Sequence, residues 1–278
     1  MVTVWSDWHV GEKVDPTDVL YREPFNLEVA RARVGKLVAS VTSLTNEFSR
    51  PVCKVDKLLI LALGDFFTGE FIYNGQRSFI DLILLEQYLE VANLLADAVN
   101  TLTASFKHVE MHCVVGNHGR MGRYGDAHPR SNLEALLYEH VKEKLKRNGR
   151  AMVKVYETEI GEVEWMGRKI GFGHGGQLMK GRAAHVETAM ARAATSWPHL
   201  LRTNLDIIAF GHFHRSQYAR IGEVPVFVNG SLVGGNYFST SVLRTYSPPT
   251  QWMFGVHPKR VTFFREIDFI KDPKQVIV

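Results

Sequence analysis

Apolar residues recur every three or four positions through Leu27, Ala30, Val34, Leu37, Val41, Leu44 and Phe48, and this spacing predicts an amphipathic helix over residues 27 to 48. A short β-favouring run, Val2 to Trp5, precedes it, and a strand is expected after it at 57 to 63, where Leu58 to Leu63 are continuously apolar. Residues 78 to 106 are rich in Leu, Ala, Glu and Ile without internal glycine or proline, which predicts a second long helix. A strand at 109 to 115 comes next. A third helix is expected at 131 to 147, where Ser131 and Glu134 stand at capping-box spacing and Gly149 lies just past the end. Alternation of strand and helix indicates a largely parallel sheet flanked by helices.

The pattern changes in the second half. Residues 152–156, 163–173, 206–210, 215–221, 224–229 and 259–267 read as strands, with one helix near 183–200 between them. A β-rich second sheet packed on the first would make a two-sheet sandwich with helices outside. The stretch from Ser239 to Pro258 reads as a surface loop followed by a short strand. No internal repeat, low-complexity tract or Pro/Gly-rich linker divides the chain, so residues 1–278 are expected to form a single domain.

Composition narrows the class. With 278 residues, 45% hydrophobic and 22% charged, the chain is ordinary for a globular protein, which excludes disorder. The longest apolar runs fall well short of the ~20 residues a membrane span requires, and no basic segment followed by an apolar one opens the chain. The expectation is a cytoplasmic protein with no membrane association. Two cysteines, Cys53 and Cys113, are too few for a disulfide framework, and Cys113 falls in an apolar strand where a reduced, buried thiol is the default. A formal charge of +4 permits a polyanionic partner without requiring one.

Candidate chemistry sits at the strand ends. After Val2–Trp5 come Ser6-Asp7-Trp8-His9, and on a continuing strand Asp7 and His9, two positions apart, would point the same way with Trp8 turned from them. Four more apolar runs end in a small residue and then a ligand-type side chain: Gly64-Asp65, Gly116-Asn117-His118, Gly173-His174, and Gly211-His212-Phe213-His214. A parallel sheet places such ends along one edge, so the five sites can meet in one cleft. The donors Asp7, His9, Asp65, Asn117, His174, His212 and His214 are too many for one transition metal and suit two, if one carboxylate bridges them. None is a thiolate, which disfavours cysteine-rich structural zinc and favours two divalent ions in an open site, with Mn²⁺ first and Zn²⁺, Fe or Mg²⁺ as alternatives. The other histidines lack this setting and are taken as surface or packing residues.

The order Asp-x-His, Gly-Asp, Gly-Asn-His, Gly-His, Gly-His-x-His resembles the motif series of the calcineurin-like metallophosphoesterase superfamily at all five places, from Asp7 to His214. The resemblance implies an α/β fold, a four-layer α/β/β/α sandwich with a two-metal site at its edge. It implies that Asp7, His9 and His214 hold the first metal, that Asp65 bridges, and that Asn117, His174 and His212 hold the second. His118 would be the catalytic residue that contacts the phosphate and assists the leaving group. Phosphoester hydrolysis would proceed by attack of a metal-bridging hydroxide. One departure is that Gly119 and Arg120 follow the Asn-His pair where many members carry an acid. Arg120 is a candidate clamp for a phosphate oxygen.

The segment Gly64-Asp65-Phe66-Phe67-Thr68-Gly69-Glu70-Phe71-Ile72-Tyr73-Asn74-Gly75-Gln76 is similar to one in the exonuclease subunit of archaeal D-family DNA polymerase, and more distantly to double-strand-break repair nucleases. The whole chain looks like metallophosphoesterases of bacteriophage and prophage genomes, particularly around residues 224 to 258. Together with Arg123, Arg130, Lys180, Arg182 and Arg215 near the expected cleft, and Tyr73, Tyr124, Phe213 and Tyr237 for base stacking, this points to a nucleic-acid phosphodiester, DNA first. Arg120, Arg123 and Tyr73 are the candidate substrate contacts. The alternatives are a phosphodiesterase or phosphomonoesterase acting on a small nucleotide or other phosphoester, and a non-catalytic metal-bound scaffold.

Overall fold

A computed structural model of the protein describes residues 1–20, 22–49, 54–122, 128, 131–179 and 185–270. Its strands are β1 (Val2–Trp5), β2 (Lys57–Ala62), β3 (His108–Cys113), β4 (Ala151–Val155), β5 (Ile160–Trp165), β6 (Arg168–Gly173), β7 (Ile207–Phe210), β8 (Gln217–Ile221), β9 (Val224–Val228), β10 (Thr250–His257) and β11 (Arg260–Asp268). Its helices are α1 (Leu27–Phe48), α2 (Leu84–Ser105), α3 (Leu133–Leu145) and α4 (Val186–Leu201). One sheet has the order β11-β10-β1-β2-β3-β4 and the other β5-β6-β7-β9-β8. Strands β1 to β4 run parallel, as do β6, β7 and β9.

Period-two alternation sorts the buried side chains into layers. On β2, Leu58, Ile60 and Ala62 pack outward with Leu37 and Val41 of α1 and with Val91 and Leu95 of α2, whereas Leu59 and Leu61 face inward onto Ile170, Phe172, Ile207 and Phe227 of the second sheet. On the far side of that sheet, Ile208, Phe210 and Val226 meet Ala189, Ala193 and Trp197 of α4. The result is the expected four-layer α/β/β/α sandwich. Each buried Leu, Ile or Phe contributes about 1.5–3 kcal/mol through removal from water, so the three cores dominate the cohesion of the layers.

Several expectations change. Residues 163–173 are not one strand, because Met166 and Gly167 adopt left-handed φ of 52° and 73° and fold the chain into the β5–β6 hairpin. The stretch read as a surface loop and short strand contains β10, eight residues that are buried through Gly255 and pair antiparallel with β1. It joins the first sheet together with β11 and with β4, not the second. Helix α2 begins at Leu84, six residues later than expected from residue 78. The preceding residues are drawn to the chain around Gly11 instead: Lys13 N donates to Phe79 O (2.8 Å) and Asp81 N to Gly11 O (3.0 Å). Helix α3 is capped by Asn132, whose side chain accepts from Glu134 N (2.9 Å), so the Ser131–Glu134 capping box does not form. Cys113 is buried as expected, and Cys53 lies outside the described residues.

Candidate metal centre

The carboxyl ends of β1, β2, β3, β6 and β7 gather at one edge of the sandwich, where the two sheets are stitched together by backbone and side-chain hydrogen bonds. Asp7 N donates to Gly64 O (2.9 Å) within the first sheet, and Gly211 N to His174 O (2.8 Å) within the second. Across the sheets, His174 Nδ1 donates to Leu63 O (2.8 Å) and His212 N donates to both oxygens of Asp7 (3.1 Å each). Approach this close needs glycine. A Cβ on Gly116 would lie 2.2 Å from Asp65 Oδ1, and one on Gly211 would lie 2.4 Å from Asp7 Oδ2.

Asp7 and His9 converge for a reason other than strand alternation. β1 ends at Trp5, and both residues adopt left-handed φ, 54° and 47°. Asp65, His212 and His214 do the same, at 56°, 72° and 53°. Among the described residues, five of the nine non-glycine residues with positive φ are therefore in this cluster, which is where strain held by surrounding structure accumulates in functional sites. The support is visible around Asp7: Ser6 Oγ donates to Asp7 Oδ2 (2.5 Å) and accepts from Asn229 Nδ2 (2.9 Å), while Gln251 of β10 bonds Ser6 through both its amide atoms. Trp8 faces away, packed on Trp5 and Phe66.

Two groups of donors face one another across Asp65. In the first, His214 Nε2 is 2.9 Å from His9 Nε2 and 3.4 Å from Asp7 Oδ1. In the second, His174 Nε2 is 2.9 Å from Asn117 Oδ1, 3.0 Å from His212 Nδ1 and 3.1 Å from Asp65 Oδ2. Asp7, Asp65, His9 and His174 are almost wholly buried. Because His174 commits its Nδ1 proton to Leu63 O, the lone pair of the neutral ring points at further lone pairs. His9 Nδ1 is buried with no hydrogen-bond partner. Such crowding of hard and borderline acceptors fits divalent cations, and three sets of side chains are spaced to hold one: Asp7, His9 and His214; Asp65, His174 and His212; and His9, Asp65 and His118.

Without a cation, protons have to do the balancing. Burial alone would lower the His174 pKa, but Asp65 beside it overrides burial and pushes it up to about 10. Burial, reinforced by charged His174, takes His212 down to about 3. Burial raises Asp65, but His174, His118 and His9 outweigh it and hold the carboxyl well below the usual range.

The profile of the calcineurin-like phosphoesterases matches residues 1–216. The chain belongs to this family. No curated protein matches it. Similar solved structures include Vps29 from Entamoeba histolytica complexed with Zn²⁺ (14% identity, 96% of this chain and 98% of that one, TM-score 0.39) and an archaeal phosphodiesterase (14%, 96% and 98%, 0.41). A predicted phosphoesterase from Streptococcus pneumoniae is also similar (13%, 95% and 95%, 0.36).

In this calcineurin-like phosphoesterase the donor groups open into a cleft of about 590 Å³ lined by His9, Asp65, His118, His212 and His214. Tyr73 and Phe213 line it as well, and burial pushes the Tyr73 phenol up to about 12. Arg120 does not line this cleft. Its guanidinium donates to Asn117 O (2.6 Å) and Ile72 O (2.9 Å), tying two loops together where a phosphate clamp was expected. Arg123, like Tyr124, Arg130, Lys180 and Arg182, lies outside the described residues. The Tyr237 ring is stacked on Phe79, at 5.5 Å between centroids.

Other residues of the site carry no motif signal. Glu134, buried in the first turn of α3, accepts from Phe66 N (2.8 Å) and Gly116 N (2.6 Å), the neighbours of Asp65 and Asn117. Glu12 and His185 line the cleft, the latter expected only at the surface or in packing. Three residues after His9, and within the same turn, Glu12 was open to notice as an acid beside the first motif.

Proposed function

We propose that the chain is a two-metal phosphodiesterase acting on DNA. The observation that carries this reading is the meeting of two donor groups on either side of Asp65, one of Asp7, His9 and His214 and one of Asn117, His174 and His212. Two divalent ions held there, Mn²⁺ by preference, would supply Lewis acidity toward a phosphate and toward water. The chain's own residues orient and move protons. With His118 Nδ1 committed to Thr68 O, any proton given to a leaving oxygen departs from Nε2, which lies 3.9 Å from Asp65 Oδ2 and borders the cleft. The aromatic rings of Tyr73, Phe213 and Phe238 along the cleft supply faces for bases, and Arg215 a cation for the strand.

The test is hydrolysis with Mn²⁺ of bis-p-nitrophenyl phosphate against p-nitrophenyl phosphate, followed by labelled single- and double-stranded DNA. Preference for the diester and release of nucleotides from DNA are expected. Good turnover of a small nucleotide with neither DNA cleaved would remove the nuclease reading.

A second reading, hydrolysis of a small nucleotide, is favoured by one observation. The described lining of the cleft holds three carboxylates, Glu12, Asp65 and Glu187, against a single arginine, Arg215. That balance is poor for a long polyanion.

A further inference from the structure

Glu12 is an unusual neighbour for a phosphate site. It is 5% exposed, and it borders the cleft with His118, His214 and Tyr73. Its position is built in: the backbone N–H donates to His9 O (2.9 Å), and Oε1 accepts from Asn236 Nδ2 (2.7 Å). Asn236 is itself locked, because its Oδ1 accepts from Ser239 N (2.8 Å) and its N–H donates to Ser239 Oγ (2.9 Å). Among the described residues no lysine or arginine pairs with Glu12. Burial raises its carboxyl above the usual range, the Asn236 hydrogen bond and the nearby His214 and His118 oppose that rise, and the Tyr73 phenol shares the cleft with it.

A carboxylate fixed in this way does two things to a ligand. Its free oxygen accepts a hydrogen bond from a hydroxyl, and its charge opposes a second phosphate, whose oxygens are acceptors only. We propose that Glu12 is a specificity residue that admits a phosphodiester flanked by a free sugar hydroxyl and rejects one flanked by another phosphate. The substrate class is then a nucleotide at a hydroxyl-bearing chain end, or a small diester of the same kind, and not an internal position of a strand. This rests on the reading of the cleft as a phosphodiester site. A carboxylate that hydrogen-bonds a sugar hydroxyl follows the same logic as the acidic residue on the ribose of dinucleotide sites.

The experiment compares thymidine 5′-(p-nitrophenyl phosphate) with its 3′-phosphorylated form on the Mn²⁺-loaded protein, with bis-p-nitrophenyl phosphate as a substrate that has no sugar. The wild-type protein should favour the 3′-hydroxyl form by about tenfold or more in kcat/KM, the scale of one buried charge or hydrogen bond in discrimination. In Glu12→Gln, which keeps the shape and removes the charge, the ratio should fall toward one. Equal use of both forms by the wild-type protein, which needs no variant, would overturn the proposal, as would an unchanged ratio in Glu12→Gln. No turnover of bis-p-nitrophenyl phosphate would remove the phosphodiesterase reading and this proposal with it. Turnover of that diester without discrimination would remove this proposal alone.

Discussion

His118 Nδ1 lies 2.5 Å from the carbonyl oxygen of Thr68. Since a carbonyl only accepts, this contact sets the tautomer and the ring plane, the task that an acid after the Asn-His pair would otherwise perform. Thr68 O also accepts from Gln76 Nε2 (2.7 Å), and Gln76 Oε1 accepts from Ile72 N (2.7 Å), so the loop that carries Thr68 is braced from within. Gln76, the last residue of the segment that resembles the archaeal polymerase subunit, thus acts through the backbone of Thr68. His118→Ala should lower turnover of bis-p-nitrophenyl phosphate by about 10²- to 10⁴-fold. Metal content, read by elemental analysis, should stay as in the wild-type protein.

Asp65 stands between both donor groups, with Oδ2 3.1 Å from His174 Nε2 of the second and a carboxylate oxygen within 4.8 Å of a ring nitrogen of His9 of the first. Asp65→Ala is expected to lose both metals together, not one. Titration calorimetry with Mn²⁺ would check this, and a variant that still bound two ions would refute the bridging assignment.

Glu134 holds Phe66 N and Gly116 N at once, and through them the backbones of Asp65 and Asn117. Glu134→Gln keeps the volume but turns an NH₂ toward one of these donors, leaving a buried N–H unpaired. We expect metal affinity to fall by about 10- to 100-fold, the usual effect of losing a partner behind a ligand. Affinity for the ion held by Asn117, His174 and Asp65 should fall more than that for the other, in a protein whose far-UV dichroism is unchanged.

The pH dependence has a definite sign. His174 rises from 6.5 to about 10, so the metal-free fold gains stability from its proton below pH 6.5 and loses it as pH climbs toward 10. Glu134 rises from 4.5 to about 7, by burial first and Asp65 second, so its contribution falls between pH 4.5 and 7. His212, lowered to about 3, costs stability as pH drops from 6.5 toward 3. Between pH 7 and 10 only the His174 slope acts among these three, at no more than about 1.4 kcal/mol per pH unit. Melting temperature in chelator should therefore fall across that range. With Mn²⁺ the fall should shrink or reverse, because binding displaces the proton from His174. Parallel curves with and without metal would contradict the assignment of His174 as a ligand.

Much of the fold was open to reading in the chain because it depends on local spacing. The period of α1 places its ends at Leu27 and Phe48, where the structure has them. The five motifs lie where parallel strands end, and the resemblance they carry leads to the layer order observed. β10 was legible only as a short strand after a surface loop, not as eight residues inside the first sheet. Flanked by Pro248, Pro249 and Pro258, it resembles a loop, and only pairing with β1 makes it an interior strand.

The sequence by itself determined which donors exist and that they follow strand ends, because residue type and β-periodicity are properties of neighbours in the chain. Only the tertiary structure decided how those donors aim. Asp7 and His9 meet through left-handed backbone held by Asn229 and Gln251, more than 200 residues away. Arg120 turns to two carbonyls, Glu134 to two amides, and Glu12 to the cleft. Each of these is a choice between local solvent and a distant partner. Such a choice is settled by burial and by unsatisfied backbone groups, which exist only once the sheets have packed.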